Sequence, residues 1–354
     1  MLRIGVIGYG YWGPNVVRNF ALQPDCRVTT ICDSDPAARA RALIQYPAAQ
    51  VITDASEVVT SPEIDAVAIV TPVSTHHALA RQALENGKHI FVEKPFTAES
   101  QQAVDLIELA DRKKLVIMVD HTFLFTGAVR KMKELIDQGV LGRLYYYDST
   151  RVNLGLFQHD VNVVWDLAPH DLSIVDHLIG LEPEQVVATG QAHLNGLEDI
   201  AYITLYFPNC VTAHINVNWL SPVKVRTTLV GGERKMLVWN DLEPTEKVKV
   251  YDKGVELESK QGIYKLLVSY RSGDMWAPSV DQTEALLLEA RYFLDCVSSG
   301  RRPFNDGRAG LRVVRMLEAT QKSLKRGGGP VSIGSSQHGT PRAIPEAFAP
   351  LNQG

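Results

Sequence analysis

The 354-residue chain is 45% apolar and 21% charged, with a formal net charge of -4 and a pI of about 6.2. That balance suits two domains with a core of their own, and it excludes the basic surface that nucleic acid or an anionic membrane would need. Four cysteines without CxxC spacing (Cys26, Cys32, Cys210, Cys296) exclude a disulfide framework and a thiolate zinc site, and no apolar run reaches the roughly 18 residues of a membrane span.

From Met1 the chain enters a strand-like run with no secretory leader, so the expected location is cytoplasmic. Short apolar runs at 3–7, 27–32, 66–70, 89–92 and 115–119 alternate with helix-like stretches at 12–22, 36–45, 75–85 and 98–112. Strands without in/out alternation, separated by helices, predict a parallel sheet covered on both faces. The expectation for residues 1–121 is therefore a doubly wound α/β Rossmann domain.

The pattern changes in the second domain, 122–331. A helix over 127–138 stops at Gly139 and Gly142. A strand over 144–153 and a helix over 166–179 follow. The runs 201–207 and 211–220 then alternate strictly, with Val211, Ala213, Ile215, Val217 and Trp219 on one face and Thr212, His214, Asn216 and Asn218 on the other. Period 2 with one polar face predicts an antiparallel or mixed sheet with a single face on the core. Further strands are expected at 226–230, 235–239 and 248–251. Helices at 282–298 and 308–324 close the domain, the second behind the turn-and-cap sequence Asn305-Asp306-Gly307. Residues 332–354 lack periodicity and read as a poorly ordered tail.

Several residues carry chemistry. Gly8-Tyr9-Gly10-Tyr11-Trp12-Gly13 is a GxGxxG directly between a strand and a helix. Gly8 suits the tight turn, Gly10 the close approach of a pyrophosphate, and Gly13 helix–strand packing. The helix N-terminus then offers free N–H groups to the phosphates. Asp33 ends the second strand, 20 residues after Gly13. An acid there accepts from both ribose hydroxyls and repels a 2'-phosphate, which selects NAD; the same aspartate could instead cap the following helix.

Two further strand ends matter, because ligands of such sheets sit beyond the strands' carboxyl ends. Thr71-Pro72, with His76 soon after, ends one; Glu93-Lys94-Pro95 ends the next. Lys94 there could stabilise a developing alkoxide or share a hydroxyl proton, or it could be a solvated surface lysine. Asp166 and His170 are four apart and share a face if they open a helix, and Pro169 fits only a first turn. His170 could take a hydroxyl proton with Asp166 orienting it; alternatively Asp166 is an N-cap and His170 a satisfied core residue. His159, Asp160, Asp166 and His170 lack the dense spacing of a metal site, so no metal is expected.

Taken together, the glycine motif, Thr71-Pro72 with His76, Glu93-Lys94-Pro95, the Asp166 and His170 pair, and the closing 300–303 and Asp306-Gly307 resemble the Gfo/Idh/MocA oxidoreductases from Met1 to about Val331. The resemblance implies an N-terminal Rossmann domain and a C-terminal α+β domain with a large open, mostly antiparallel sheet. That sheet often mediates homo-oligomers, here a dimer or tetramer. It implies hydride transfer between NAD and a sugar, cyclitol or sugar-nucleotide hydroxyl, with Lys94 binding substrate and assisting proton transfer, often beside a cis bond to Pro95. His170 is then the acid/base residue and Asp166 its partner. Gly8, Tyr9, Gly10, Tyr11, Trp12, Gly13, Asp33, Thr71, Pro72, His76, Glu93 and Lys94 are the implied cofactor residues.

One departure narrows the expectation. In place of a glycine-rich run before Asp166 stand residues 158–165, which, with 151–155, resemble a bacterial subset acting on nucleotide-linked amino sugars. C3 of UDP-N-acetylglucosamine is then the expected point of oxidation, with the keto product passed to an aminotransferase. Arg151, Asn153 and Asn162 become substrate-side candidates, though each could be a strand-end or turn residue. A glycosidase that uses NAD transiently, or an NAD-binding sensor, would be compatible with the same fold.

Overall fold

The computed structural model describes residues 1–155, 161–258 and 267–334. The first elements are β1 (Leu2–Ile7), α1 (Gly13–Ala21), β2 (Cys26–Cys32), α2 (Pro36–Gln45), β3 (Gln50–Ile52), α3 (Ala55–Thr60), β4 (Ala66–Ile69), α4 (Val73–Glu85), β5 (His89–Glu93), α5 (Ser100–Lys113) and β6 (Ile117–Asp120). Their strands pair in parallel in the order β3-β2-β1-β4-β5-β6, the doubly wound arrangement that the apolar runs imply. β3 and α3 escape the sequence reading because a three-residue strand and a helix of under two turns show no periodicity.

The rest comprises α6 (Gly127–Asp137), β7 (Leu144–Leu154), α7 (Val163–Ile179), β8 (Gln185–Gln191), β9 (Ile200–Tyr206), β10 (Thr212–Asn218), β11 (Leu220–Gly232), β12 (Met236–Asn240), β13 (Val248–Glu258), β14 (Leu267–Trp276), α8 (Ala285–Ser299), α9 (Gly307–Lys325) and β15 (Val331–Ser332). Among the described residues these strands form one sheet, β14-β13-β12-β11-β7-β10-β9-β8-β15. It is antiparallel except where β10 runs parallel to β7. Ala213, Ile215, Val217 and Trp219 are fully buried on its inner face, against α7, as the alternation requires. β8 and β14 were not foreseen: β8 buries only Val186 and Ala188 among polar neighbours and a glycine, too weak an alternation to stand out.

The helices α8 and α9 return to the first sheet. Phe293 of α8 meets Phe20 of α1 and Phe91 of β5 in edge-on contacts, with ring centroids at 6.0 and 5.7 Å. Each such fully buried ring stabilises by about 1.5–3 kcal/mol. Asp306 caps α9 by accepting from the Ala309 N–H, and the Asn305 amide donates to the Val119 carbonyl at 2.8 Å. The end of β6 is therefore clamped from the C-terminal side.

Two expectations are corrected. The helix that carries His170 starts at Val163, one turn earlier than predicted, and its N-cap is Asn162, whose Oδ1 accepts from the Trp165 N–H at 3.1 Å. Pro169 is consequently the seventh helical residue, not a first-turn residue, and α7 runs through it at the loss of one backbone hydrogen bond. Of the supposed tail, Ser332 still pairs with β8, while 335–354 lie outside the described residues.

Candidate active site

The glycine-rich loop links β1 to α1. Gly8 has φ +101, and a Cβ there would lie 2.3 Å from the Val70 carbonyl oxygen; a Cβ on Gly13 would lie 2.3 Å from the Gly8 oxygen. Both glycines are required by the bare chain. Gly10 is different, because a Cβ there meets nothing within 4 Å. The first turn of α1 has no side-chain cap and no acidic residue; Pro14 lacks an N–H and the Asn15 N–H turns back to the Trp12 carbonyl at 2.9 Å, so what the helix start offers a phosphate is chiefly its partial positive charge. Asp33 does not cap α2; Asp35 does, accepting from Ala37 and Ala38. The Asp33 carboxylate instead accepts the Tyr9 N–H at 2.5 Å and the Asp35 N–H at 2.8 Å, fixing it beside the loop. These features fit a dinucleotide: an open backbone approach, an uncapped helix start, and an acid at the ribose end.

The other cofactor candidates divide. Tyr11 is exposed, whereas the Tyr9 side chain is fully buried with its hydroxyl on Gln45, so only the Tyr9 backbone faces the loop. Thr71 shares a hydroxyl contact with Thr75 at 2.6 Å, and Pro72 begins α4. His76 is buried, with one ring nitrogen 2.8 Å from the Thr71 carbonyl oxygen and the other 2.9 Å from that of Pro95. Burial lowers its pKa, against the pull of those carbonyls. No polar atom of His76 is left for a ligand; it ties the loop after β4 to the loop after β5.

Lys94 follows β5, with a cis peptide to Pro95. Its ammonium donates to the Asp166 carbonyl at 2.8 Å and lies 3.6 Å from the Asp166 Oδ1. The Trp219 indole N–H donates to the other Asp166 oxygen at 3.1 Å. The first turns of α7 are thus drawn onto the carboxyl edge of the first sheet, and Lys94, Asp166 and His170 converge. Asp166 serves Lys94, not His170: among the described residues no hydrogen bond joins it to the imidazole. Among the described residues His170 Nδ1 is buried without a partner. The ring is held instead by the edge of Phe123, with centroids at 4.9 Å. Burial, then the charges of Lys94, Arg151 and Arg226, hold His170 well below the ordinary imidazole range. It is therefore neutral at neutral pH and able to accept a proton.

The substrate-side candidates fare unequally. Arg151 is 4% exposed and bound to Asp171 at 2.5 Å, with its guanidinium 4.5 Å from the centre of the Phe123 ring. It is a scaffold cation behind the site. Asn162 caps α7 through its oxygen and donates to Glu198 and Gln321, both at 2.7 Å, leaving nothing for a ligand. Asn153 stays half-buried near the end of β7. His159 and Asp160 lie outside the described residues. No group of three His, Cys, Asp or Glu side chains among the described residues is placed to hold a metal.

Trp219, Phe123 and Arg226 were not anticipated. Trp219 reads in sequence as one more inward residue of an alternating strand, and nothing marks the other two. Asp120 was also missed, although it carries the signal that singled out Asp33, an acid at a strand's carboxyl end. It is 1% exposed and accepts from the Trp12 indole at 3.0 Å.

Comparison with known proteins gives the family. A family model described as "Oxidoreductase family, NAD-binding Rossmann fold" matches residues 2–121, and one described as "GFO/IDH/MocA C-terminal domain" matches 129–238. An uncharacterised oxidoreductase of Streptococcus pneumoniae is 28% identical over 226 residues, 59% of this chain and 60% of its own length. UDP-N-acetylglucosamine 3-dehydrogenase of Acidithiobacillus ferrooxidans is 27% identical, covering 88% of this chain and 94% of the relative. Its solved structure superposes with a TM-score of 0.77 at 25% identity, over 93% of this chain and 99% of that one. The scyllo-inositol 2-dehydrogenase (NAD(+)) of Bacillus subtilis is 27% identical, covering 71% of this chain and 72% of the relative.

Proposed function

This chain belongs to the Gfo/Idh/MocA family of NAD-binding oxidoreductases, and from that premise we propose that it oxidises C3 of UDP-N-acetylglucosamine. One observation carries the reading: an ammonium (Lys94), held by Asp166, meets a neutral imidazole (His170) at the carboxyl edge of the Rossmann sheet. The choice of sugar nucleotide is supported by the similarity to the Acidithiobacillus ferrooxidans enzyme along nearly the whole chain.

NAD, when bound, supplies the hydride acceptor. Gly8, Gly10 and Gly13 shape the pyrophosphate cradle, and Asp33 accepts from the ribose. Lys94 holds the substrate hydroxyl by its charge and favours the alkoxide that forms as the O–H proton leaves, from which the hydride then departs as the C=O bond forms. His170 takes the hydroxyl proton. Asp166 keeps the lysine aimed, with Trp219 fixing its second oxygen. Arg151 sets the Phe123 ring against which His170 lies.

Incubating the protein with NAD and UDP-N-acetylglucosamine should produce reduced nicotinamide and a 3-keto sugar nucleotide detected by mass, with an aminotransferase as trap for the ketone. Turnover of scyllo-inositol but not of the sugar nucleotide would favour the cyclitol reading that the Bacillus subtilis relative supports. Release of an aglycone without net reduced nicotinamide would place the chain among glycosidases. The outer face of the second sheet lines up Tyr206, Thr212 and Tyr146 across three strands, with both tyrosines exposed. We assign this face to a homo-oligomer, dimer or tetramer, which sedimentation would test.

A further inference from the structure

Nothing in the acid–base scheme uses Asp120, yet four groups converge on its carboxylate at the end of β6. The Trp12 indole, from the glycine-rich loop, donates to Oδ2 at 3.0 Å, and the Thr122 hydroxyl donates to Oδ1. Glu93 is its register partner at the end of β5, and Glu289 of α8 lies near enough to feel its charge. Burial, then the charge of Asp120, pushes both glutamates well above the usual carboxyl range. Of the three carboxyls, Asp120 is the one with donors turned on both oxygens, the Trp12 N–H and the Thr122 hydroxyl, as a negative charge requires. Glu289 is fully buried, held by the Asn305 amide at 3.0 Å, and its Oε2 has no partner.

The place of this charge gives it a function. Asp33 receives the adenosine half of the dinucleotide at the end of β2, and the pyrophosphate lies over α1. The nicotinamide half must then extend over the ends of β4, β5 and β6. Glu93 and Asp120 close two of those ends, and Trp12 connects them to the pyrophosphate loop itself. Oxidised and reduced dinucleotides carry the same phosphates and riboses; they differ by one positive charge on the nicotinamide ring. A buried anion at that end of the site favours the cationic form, whereas its effect on the phosphates is the same for both forms.

We propose that Asp120, with Glu93 and Glu289, is an electrostatic counter-site that binds the cationic, oxidised nicotinamide in preference to the neutral, reduced one, and so sets the redox preference of the bound cofactor. The proposal needs only the cofactor and is independent of which sugar is oxidised.

The test is the ratio of Kd for NADH to Kd for NAD, measured by titrating the full-length protein with each form separately. Asp120→Asn keeps one oxygen to accept from the Trp12 indole, lets the Thr122 hydroxyl accept from its amide, and removes the charge; Asp120→Ser is a second neutral replacement should the first not fold. The ratio should fall about tenfold, equivalent to about 1.4 kcal/mol, with most of the change in NAD binding. Asp120→Glu, which keeps the charge, should hold the parent ratio within about twofold, as should Glu289→Gln, which exchanges a neutral acid for a neutral amide. A purely structural role would weaken both forms together. An unchanged ratio in the neutral Asp120 variants, or a fall in Glu289→Gln equal to theirs, would overturn the proposal.

Discussion

Replacing Gly10 by alanine separates what the fold requires from what the cofactor requires. The added Cβ meets no atom within 4 Å, and Gly10 is not among the glycines of positive φ. The bare protein should therefore keep its stability or gain about 0.4–1 kcal/mol, through the reduced freedom of the unfolded chain. Gly13→Ala provides the contrast, since its Cβ would lie 2.3 Å from a backbone oxygen that cannot swing away; overpacking of that kind costs about 1–3 kcal/mol. With NAD the order reverses for Gly10, because the methyl occupies the approach to the pyrophosphate. A hundredfold loss of affinity is about 2.8 kcal/mol. Thermal unfolding with and without cofactor reads both effects. At a cofactor concentration of about 100 times the parent Kd, the parent gains about 2.7 kcal/mol, while a variant binding a hundredfold more weakly gains about 0.4. If Gly10→Ala melts as low as Gly13→Ala without NAD, or retains the full gain with it, the division of labour among these glycines is wrong.

Three further outcomes are expected. Lys94→Ala and His170→Ala should each lower kcat by about 10²–10⁴ while NAD binds within a few-fold of the parent; turnover like the parent's in both would remove them from the chemistry. Because His170 is held low by burial and neighbouring cations, the acid limb of kcat/KM should lie below pH 6.5, and Arg226→Met, which deletes one of those cations, should move it upward; a downward move contradicts the assignment. Asp171→Ala strands the buried Arg151 guanidinium and should cost about 3–5 kcal/mol in denaturant unfolding, most of it recovered in Arg151→Met/Asp171→Leu, whereas a substrate-binding arginine would instead raise KM at full stability.

The fold was legible wherever burial imposed a period. Every strand of the first sheet longer than three residues stood out as an apolar run, and β10 showed its inner face residue by residue. What escaped was short, as with β3, or diluted by polar and glycine positions, as with β8. The placing of candidate residues was legible where a strand end fixes it, as with Asp33 after β2 and Lys94 after β5. They were misread where tertiary pairing decides the role. Arg151 and Asn162 look like ligands in sequence, but Asp171 lies 20 residues from one and Glu198 and Gln321 lie 36 and 159 from the other, and no local pattern carries those distances. The same holds for Asp166: spacing of four assigns it to His170, while the fold brings it Lys94 from 72 residues away.

That last exchange changes how the proton is managed. In an arrangement where a carboxylate accepts from the rear nitrogen of a catalytic histidine, the imidazolium is stabilised and the base strengthened. Here the rear nitrogen, Nδ1, has no such partner among the described residues, and three cations surround the ring. Aromatic packing supplies orientation: Asp171 fixes Arg151, Arg151 lies over Phe123, and Phe123 abuts the imidazole. Orientation is thereby separated from charge stabilisation. A ring kept neutral in this way is always ready to accept, yet it holds a proton poorly and passes it on readily. On the proposed reading Lys94 carries most of the stabilisation of the alkoxide, and the carboxylate that would otherwise assist the histidine is placed on the lysine.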